Sequence, residues 1–270
     1  MKIISWKIKN KKPIKAIFVN LVIVLMLGTV FAFSYAGGTL QAFTSTSGEA
    51  IYFGDKNSKN ISLMINVYWG DEYLPDMLNV LKENNVKTTF FVGGVWACKN
   101  LSMLENILKD GHELGNHGYY HKDHDNISEQ ENYNEINQNH QIVQELTGVT
   151  MNLFAPPSGA YNSTTIMVAE SLGYKTILWT RDTIDWRDQN KNLIYNRAIK
   201  NASGGDLILM HPTKETLNAL PDIIAHLKSQ GFNLTTVTET LGWFKQFVTR
   251  SYLNFLQVNF TIFLYSDRFI

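Results

Sequence analysis

Apolar residues recur between positions 61 and 240 in two alternating rhythms. Short, nearly continuous apolar runs fall at 61–67, 86–92, 112–116, 151–155, 175–179, 206–210 and 233–237. Between them lie mixed stretches near 73–84, 100–110, 128–147, 162–172, 190–202 and 215–230. The stretch 128–147 has the helical rhythm, with Ile136, Ile142, Val143 and Leu146 forming an apolar stripe among polar residues. Ser128, with Glu131 three positions on, has the spacing of a capping box, which satisfies backbone N–H groups left free at a helix start. Strand–helix alternation without hairpin turns predicts a parallel sheet, because parallel neighbours need a crossover and here the crossover is a helix. The periodicity leaves open whether the sheet closes into a barrel. In either form the chemistry gathers at the C-terminal ends of the strands. Asn66, His117, Pro156, Asp182 and His211 all fall near such ends.

Outside this block the pattern changes. Lys2, Lys7, Lys9, Lys11, Lys12 and Lys15 precede a charge-free apolar run from Ala16 to Ala36. Its length suits a bilayer crossing, and the basic flank marks the cytoplasmic side. Ser34 and Ala36 also form the small-x-small pattern that a signal peptidase accepts. Residues 1–36 are therefore a cleaved export signal or a retained anchor, with the length favouring an anchor; either places the folded part outside the cytoplasm, tethered or secreted. Residues 37–60, rich in Gly, Ser and Thr, read as a linker to a domain at 61–240. Residues 241–270 form an aromatic tail with Phe244, Phe247, Tyr252, Phe255, Phe260 and Phe263. A docking element, a second membrane contact and a drifted reading frame all fit that tail.

Composition adds bounds. A chain of 270 residues with 44% hydrophobic content can bury a full core. Its formal net charge of zero gives no electrostatic case for nucleic acid. Cys98 is the only cysteine, so an internal disulfide is excluded, and it reads as a small buried hydrophobe.

The candidate chemistry starts with His117 and His121, four apart after a strand-like run. Two imidazoles at that spacing can reach one metal ion, although surface histidines share the spacing. Asp182 and His211 sit on neighbouring predicted strand ends, where a purely structural hydrogen bond is the plain alternative. His112 reads as a core histidine; His124, His140 and His226 read as solvated. Gly93-Gly94 is a turn, since no phosphate-loop pattern follows.

Several motifs in order carry a resemblance. They are Val86-Lys87-Thr88-Thr89-Phe90-Phe91-Val92-Gly93, Gly111-His112-Glu113-Leu114-Gly115-Asn116-His117, Leu172-Gly173-Tyr174, Asp185-Trp186 and Gly205-Asp206-Leu207-Ile208-Leu209-Met210-His211. Over about residues 60–240 the chain resembles the polysaccharide deacetylases with the NodB homology domain, carbohydrate esterase family 4. It looks most like the PdaB-type sporulation deacetylases. The resemblance implies a distorted (β/α) barrel with a divalent metal, zinc or cobalt, in a groove at the strand ends. It also implies hydrolysis of N-acetyl groups on peptidoglycan or a related amino-sugar polymer. In that chemistry a metal-bound water attacks the acetyl carbonyl, a carboxylate takes its proton, and a histidine protonates the leaving amine. Carried over residue by residue, His117 and His121 are metal ligands, His211 is the acid, and Asp182 holds and charge-tunes His211. Trp186 and Leu209 line the slot for the acetyl methyl, with Pro156, Pro157 and Tyr161 also on the substrate side.

Half of the pattern departs from the family. Where the family reads Thr-Phe-Asp-Asp, this chain reads Met64-Ile65-Asn66-Val67. Asn66 occupies the base position, and an amide is no general base. Val67 occupies a ligand position and cannot bind metal; PdaB-type members often lack that acid, and their Ser-Trp-Gly-like loop is matched by Tyr68-Trp69-Gly70. Ala155 stands where the family has the arginine that pairs with the base. An arginine left facing Asn66 would be an unpaired half-buried charge, so a coupled loss is physically coherent, though two separate changes would leave the same sequence. Asp71 or Glu72 in the next loop could supply a substitute ligand or base, or could simply be first-turn residues favoured by the helix dipole. Removing a general base costs about 10²–10⁴ in rate. The sequence therefore supports a weak deacetylase, or a catalytically silent glycan-binding or scaffolding protein on the same fold. Oligomeric state is not legible in it.

Overall fold

The computed structural model describes residues 48–242. Residues 1–36, read as an export signal or anchor, residues 37–47 of the expected linker and nearly all of the aromatic tail lie outside the described residues. The elements run β1 (Asn60–Val67), α1 (Leu74–Glu83), β2 (Thr89–Val92), α2 (Gly94–Lys99), α3 (Leu101–Lys109) and β3 (Glu113–Asn116). There follow α4 (Glu129–Thr147), β4 (Leu153–Phe154), α5 (Ser163–Ser171), β5 (Lys175–Thr176), β6 (Arg181–Asp182) and α6 (Lys191–Ile199). The domain ends with β7 (Leu207–Met210), α7 (Lys214–Ser229), β8 (Asn233–Leu234) and α8 (Val237–Thr240).

Every ladder between these strands is parallel, in the order β5-β4-β3-β2-β1-β7-β6, with β8 beside the start of β1. Among the described residues no ladder joins β5 to β6, so the expected barrel is an open, curled half-barrel. The pleat divides β1 between two cores. Ile61, Leu63, Ile65 and Val67 belong to the layer packed under the helices, with Phe90, Ile136 and Ile223. Met64 belongs to a second cluster with Phe91, Leu153, Ala155, Ile177, Leu207 and Leu209. Asn66, two residues beyond Met64, continues that second face at the strand's C-terminal end.

The local signals of α4 are realised. Ser128 Oγ accepts from Glu131 N at 3.3 Å, Glu131 Oε2 accepts from Ser128 N at 3.2 Å, and Gly148 ends the helix in the left-handed region. Two expectations shift. The linker reading of 37–60 is too long, since Ile51 pairs in parallel with Ile177 and Phe53 pairs antiparallel with Asp206. The triplet Ile51-Tyr52-Phe53 is thus held along the domain by two backbone bridges, while the Tyr52 and Phe53 side chains stay exposed. Strand β6 was also not anticipated, because Arg181-Asp182 carries no apolar pattern and holds its place by pairing with β7 at the sheet edge.

Candidate functional site

The strand ends of β1, β3, β6 and β7 border one cavity of about 410 Å³. From β1 and the loop after it come Asn66, Tyr68 and Trp69. From the loop after β3 come His117 and His121, and from the turn after β4 comes Ser158. Trp179, Asp182, Trp186, Leu209 and His211 complete the wall. Eight of these eleven positions carry an aromatic or imidazole ring or an apolar chain, so the cavity is walled by flat apolar surface with few polar groups.

The histidine pair is built from below. Asn116 Oδ1 accepts from Gly118 N at 2.9 Å, and the buried Glu135 on α4 accepts from Tyr119 N at 2.9 Å and Tyr120 N at 2.7 Å. These bonds fix a tight loop in which Gly118 and His121 both take positive φ, 72° and 59°. The His117 and His121 rings come to 5.0 Å between centroids, and Tyr68 packs 4.7 Å from His121. His117 Nδ1 donates to the Ala155 carbonyl at 2.7 Å, which leaves Nε2 as the bare nitrogen. Burial, and then the neighbouring His121, hold the His117 pKa well below the ordinary histidine value; burial also lowers that of His121.

Two imidazoles are not a catalytic metal site, which usually has three protein ligands. Among the described residues no group of three or more His, Cys, Asp or Glu side chains is placed to hold a metal ion. The Asp71 rescue is not realised: its carboxylate accepts from the Trp96 indole N–H and borders no part of the cavity. Glu72 is exposed and equally outside it. The donor set therefore does not fit the divalent metal that the resemblance implies, and no step here is routed through one.

The carboxylate–histidine pair that the resemblance implies is present, with one correction. The carboxylate that holds His211 is Asp185, not Asp182. Asp185 Oδ1 accepts from His211 Nδ1 at 2.8 Å, while Oδ2 accepts from His211 N and from Thr216 Oγ1, both at 2.6 Å. Asp185 is 1% exposed. Its position follows from the turn after β6, where Ile184 takes φ 54° and swings the next residue beneath the end of β7. Asp182 instead accepts from Ile184 N at 2.7 Å and lines the cavity, its pKa raised chiefly by burial. Trp69 stacks on the His211 ring, with centroids 5.8 Å apart and planes 6° from parallel.

No carboxylate stands at the position where the resemblance implies a base. Asn66 is 4% exposed, and its Oδ1 has no hydrogen-bond partner. Ala155 is fully buried in the apolar cluster inside the curl.

Of the expected substrate residues, Trp186 and Leu209 line the cavity, and Trp186 is 55% exposed. Pro156 and Pro157 do not line it; they lead into Ser158, which does, at φ 57°. Tyr161 is carried away by that turn. Its hydroxyl bonds to that of Tyr52 at 2.7 Å, beside a separate surface depression that includes Phe53 and Ile166. Trp179 was not anticipated as a wall residue; it lies on Gly159, where a Cβ would come within 2.7 Å of the indole. His124 is fully buried rather than solvated, with Nδ1 donating to Asn132 Oδ1 at 2.6 Å. Cys98 is exposed rather than buried.

A parallel-stranded half-barrel with this histidine loop and this Asp–His pair is the frame of the polysaccharide deacetylase family. The chain belongs to that family, whose model matches residues 53–177. Bacillus subtilis YlxY, an uncharacterized protein, is 36% identical over 197 residues, which cover 73% of this chain and 62% of YlxY. The chain thus spans less than two thirds of that relative. A peptidoglycan-N-acetylglucosamine deacetylase of Bacillus cereus is 32% identical over 193 residues, 69% of this chain and 90% of the relative. Among solved structures, a pseudoenzyme of carbohydrate esterase family 4 from Bacillus anthracis matches with a TM-score of 0.70 and 37% identity, covering 72% of this chain and 69% of that one. A mutant of the same pseudoenzyme, described as having restored enzymatic activity, matches with a TM-score of 0.70 and 35% identity.

Proposed function

We propose that this chain is a glycan-binding protein of the bacterial envelope, with deacetylase activity lost or residual. Its ligand would be peptidoglycan or a related amino-sugar polymer, reached on the outer side of the membrane through residues 1–36. The observation that carries the reading is the base position, where a buried amide with an unpartnered oxygen stands in place of a carboxylate. The two-imidazole donor set points the same way. The retained aromatic wall keeps surface on which sugar rings can stack. The similarity to a protein described as a pseudoenzyme, and to a mutant of it with restored activity, supports both the silence and its reversibility.

A second reading has its own observation, the intact limb of His211, Asp185 and Thr216. A positioned acid without a base would suit slow cleavage of an O-acetyl ester, whose leaving group needs less protonation than an amine. Sporulation-linked expression, implied by the PdaB-type resemblance, belongs to the proposal too and is checked by following the protein through a sporulation time course.

The test is acetate release by the full chain from N-acetylated peptidoglycan and chitin oligomers, with zinc or cobalt supplied. The expected result is no release above the blank. The variant carrying Asn66→Asp and Ala155→Arg is expected to gain about 10²-fold or more over that background, the usual scale of a general base. Release by the unaltered chain that disappears in His211→Ala would establish an enzyme instead.

A further inference from the structure

Exposure divides the cavity into a rim and a floor. Trp69 and Trp186 stand at the rim, 43% and 55% exposed, whereas Asn66, His117 and Leu209 are buried. The strand register sets that floor. Parallel pairing of Met64 with Leu209 and of Ile65 with Met210 brings Asn66, at the end of β1, beside the end of β7. The pleat puts Asn66 on the face that Met64 and Leu209 share inside the curl.

Asn66 lines this floor with its Oδ1 buried and unpartnered. A buried polar atom without a hydrogen bond is exceptional in a folded chain, and one beside a cavity is completed by what binds there. The side-chain amide carries both a donor and an acceptor, and a half-turn about one bond exchanges them. It is neutral throughout the ordinary pH range, so its contacts depend on no titration. A carboxylate at the same position has no donor to give.

We infer that Asn66 is the specificity-determining residue of the cavity, its amide hydrogen-bonding the acetamido group of a bound sugar. The inference rests on the silent glycan-groove reading and names the residue that selects its ligand. A sugar hydroxyl ends close to its ring and stays near the rim indoles. An acetamido group carries its carbonyl, N–H and methyl further out, to the floor. There the Leu209 chain meets the methyl and the Asn66 amide meets the polar pair. The amide that stands in the base position thereby makes the site a reader of intact N-acetyl groups.

The experiment is a calorimetric titration of the full chain with chitotetraose and with cellotetraose. Both tetramers are neutral and share one linkage; they differ in bearing an acetamido group or a hydroxyl on each ring. Chitotetraose is expected to bind about tenfold more tightly, the scale of one well-made hydrogen bond to a buried group. Asn66→Ala should bring that ratio below about threefold by weakening chitotetraose, with cellotetraose unchanged within about twofold. Nitrogen–proton NMR gives a readout that needs no substitution: the Asn66 side-chain amide signals should move with chitotetraose and stay in place with cellotetraose. Equal or tighter binding of cellotetraose overturns the inference and leaves a glycan groove standing. A ratio unchanged in Asn66→Ala, or amide signals that ignore chitotetraose, overturns it as well. Acetate release from chitotetraose, followed alongside, defeats the silent reading but leaves a measured acetamido preference standing. No binding of either tetramer defeats both.

Discussion

Replacing Asp185 and Asp182 separately by asparagine distinguishes two carboxylates three residues apart. Asp185 is 1% exposed and accepts three hydrogen bonds, at 2.8, 2.6 and 2.6 Å. A carboxylate can accept all three, but an amide has a single oxygen. In Asp185→Asn that oxygen can keep His211 N and Thr216 Oγ1, while the amide NH₂ faces His211 Nδ1. The imidazole must then give up its Nδ1 proton and carry it on Nε2. Hydrogen bonds to charged groups contribute about 1.5–3 kcal/mol against about 0.5–1.5 for neutral ones, and removing a buried charge recovers part of the difference. The net loss should be about 2 kcal/mol. Asp182→Asn keeps its one bond through the amide oxygen and should lose under about 0.5 kcal/mol. Urea unfolding at neutral pH reads the difference; with a slope of about 2 kcal/mol/M, the midpoint of Asp185→Asn falls by about 1 M. Nitrogen NMR of His211 should show the proton moving from Nδ1 to Nε2 in that variant alone. Equal losses in the two variants, or an unchanged tautomer, would refute the assignment of Asp185 as the holder of His211.

Ala155→Arg alone places a guanidinium in the apolar cluster inside the curl and should destabilise by about 3 kcal/mol, with Asn66→Asp recovering part of that loss. If the two changes prove simply additive in urea, the coupled-loss argument fails. Acid should weaken the fold below about pH 6.5, because His112 and His124 are pushed down to about 4 by burial. The unfolded chain takes up those protons first, so stability is full above pH 6.5 and declines by about 1.4 kcal/mol per pH unit per histidine until about pH 4. A urea midpoint that stays flat over this window would contradict the buried neutral state. Gly159→Ala forces a Cβ against Trp179 at a residue with φ 65°, and should weaken glycan binding by displacing that wall. Unchanged affinity, with the variant folded by circular dichroism, would remove Trp179 from the binding surface.

Much of the fold was legible because its signals are local. The capping box of Ser128 and Glu131, the apolar stripe at Ile136 and Val143, and the crossover rhythm each depend on neighbours within a turn or two. The spacing of His117 and His121 is local in the same way, so the family resemblance, the parallel sheet, the histidine pair and the amide at Asn66 were all readable along the chain. Asp182 and Asp185 look alike from that vantage, both acidic and both near the end of the same strand. Only the turn at Ile184 and the pairing of β6 with β7 decide which of them meets His211, 26 residues away. The tertiary structure likewise decided that Trp179 faces the cavity, that Tyr161 turns away, that Asp71 is held by Trp96, and that Glu135 pins the histidine loop. Periodicity records which face of an element is buried, whereas the partner of a buried polar group is set by the packing of segments distant in the chain.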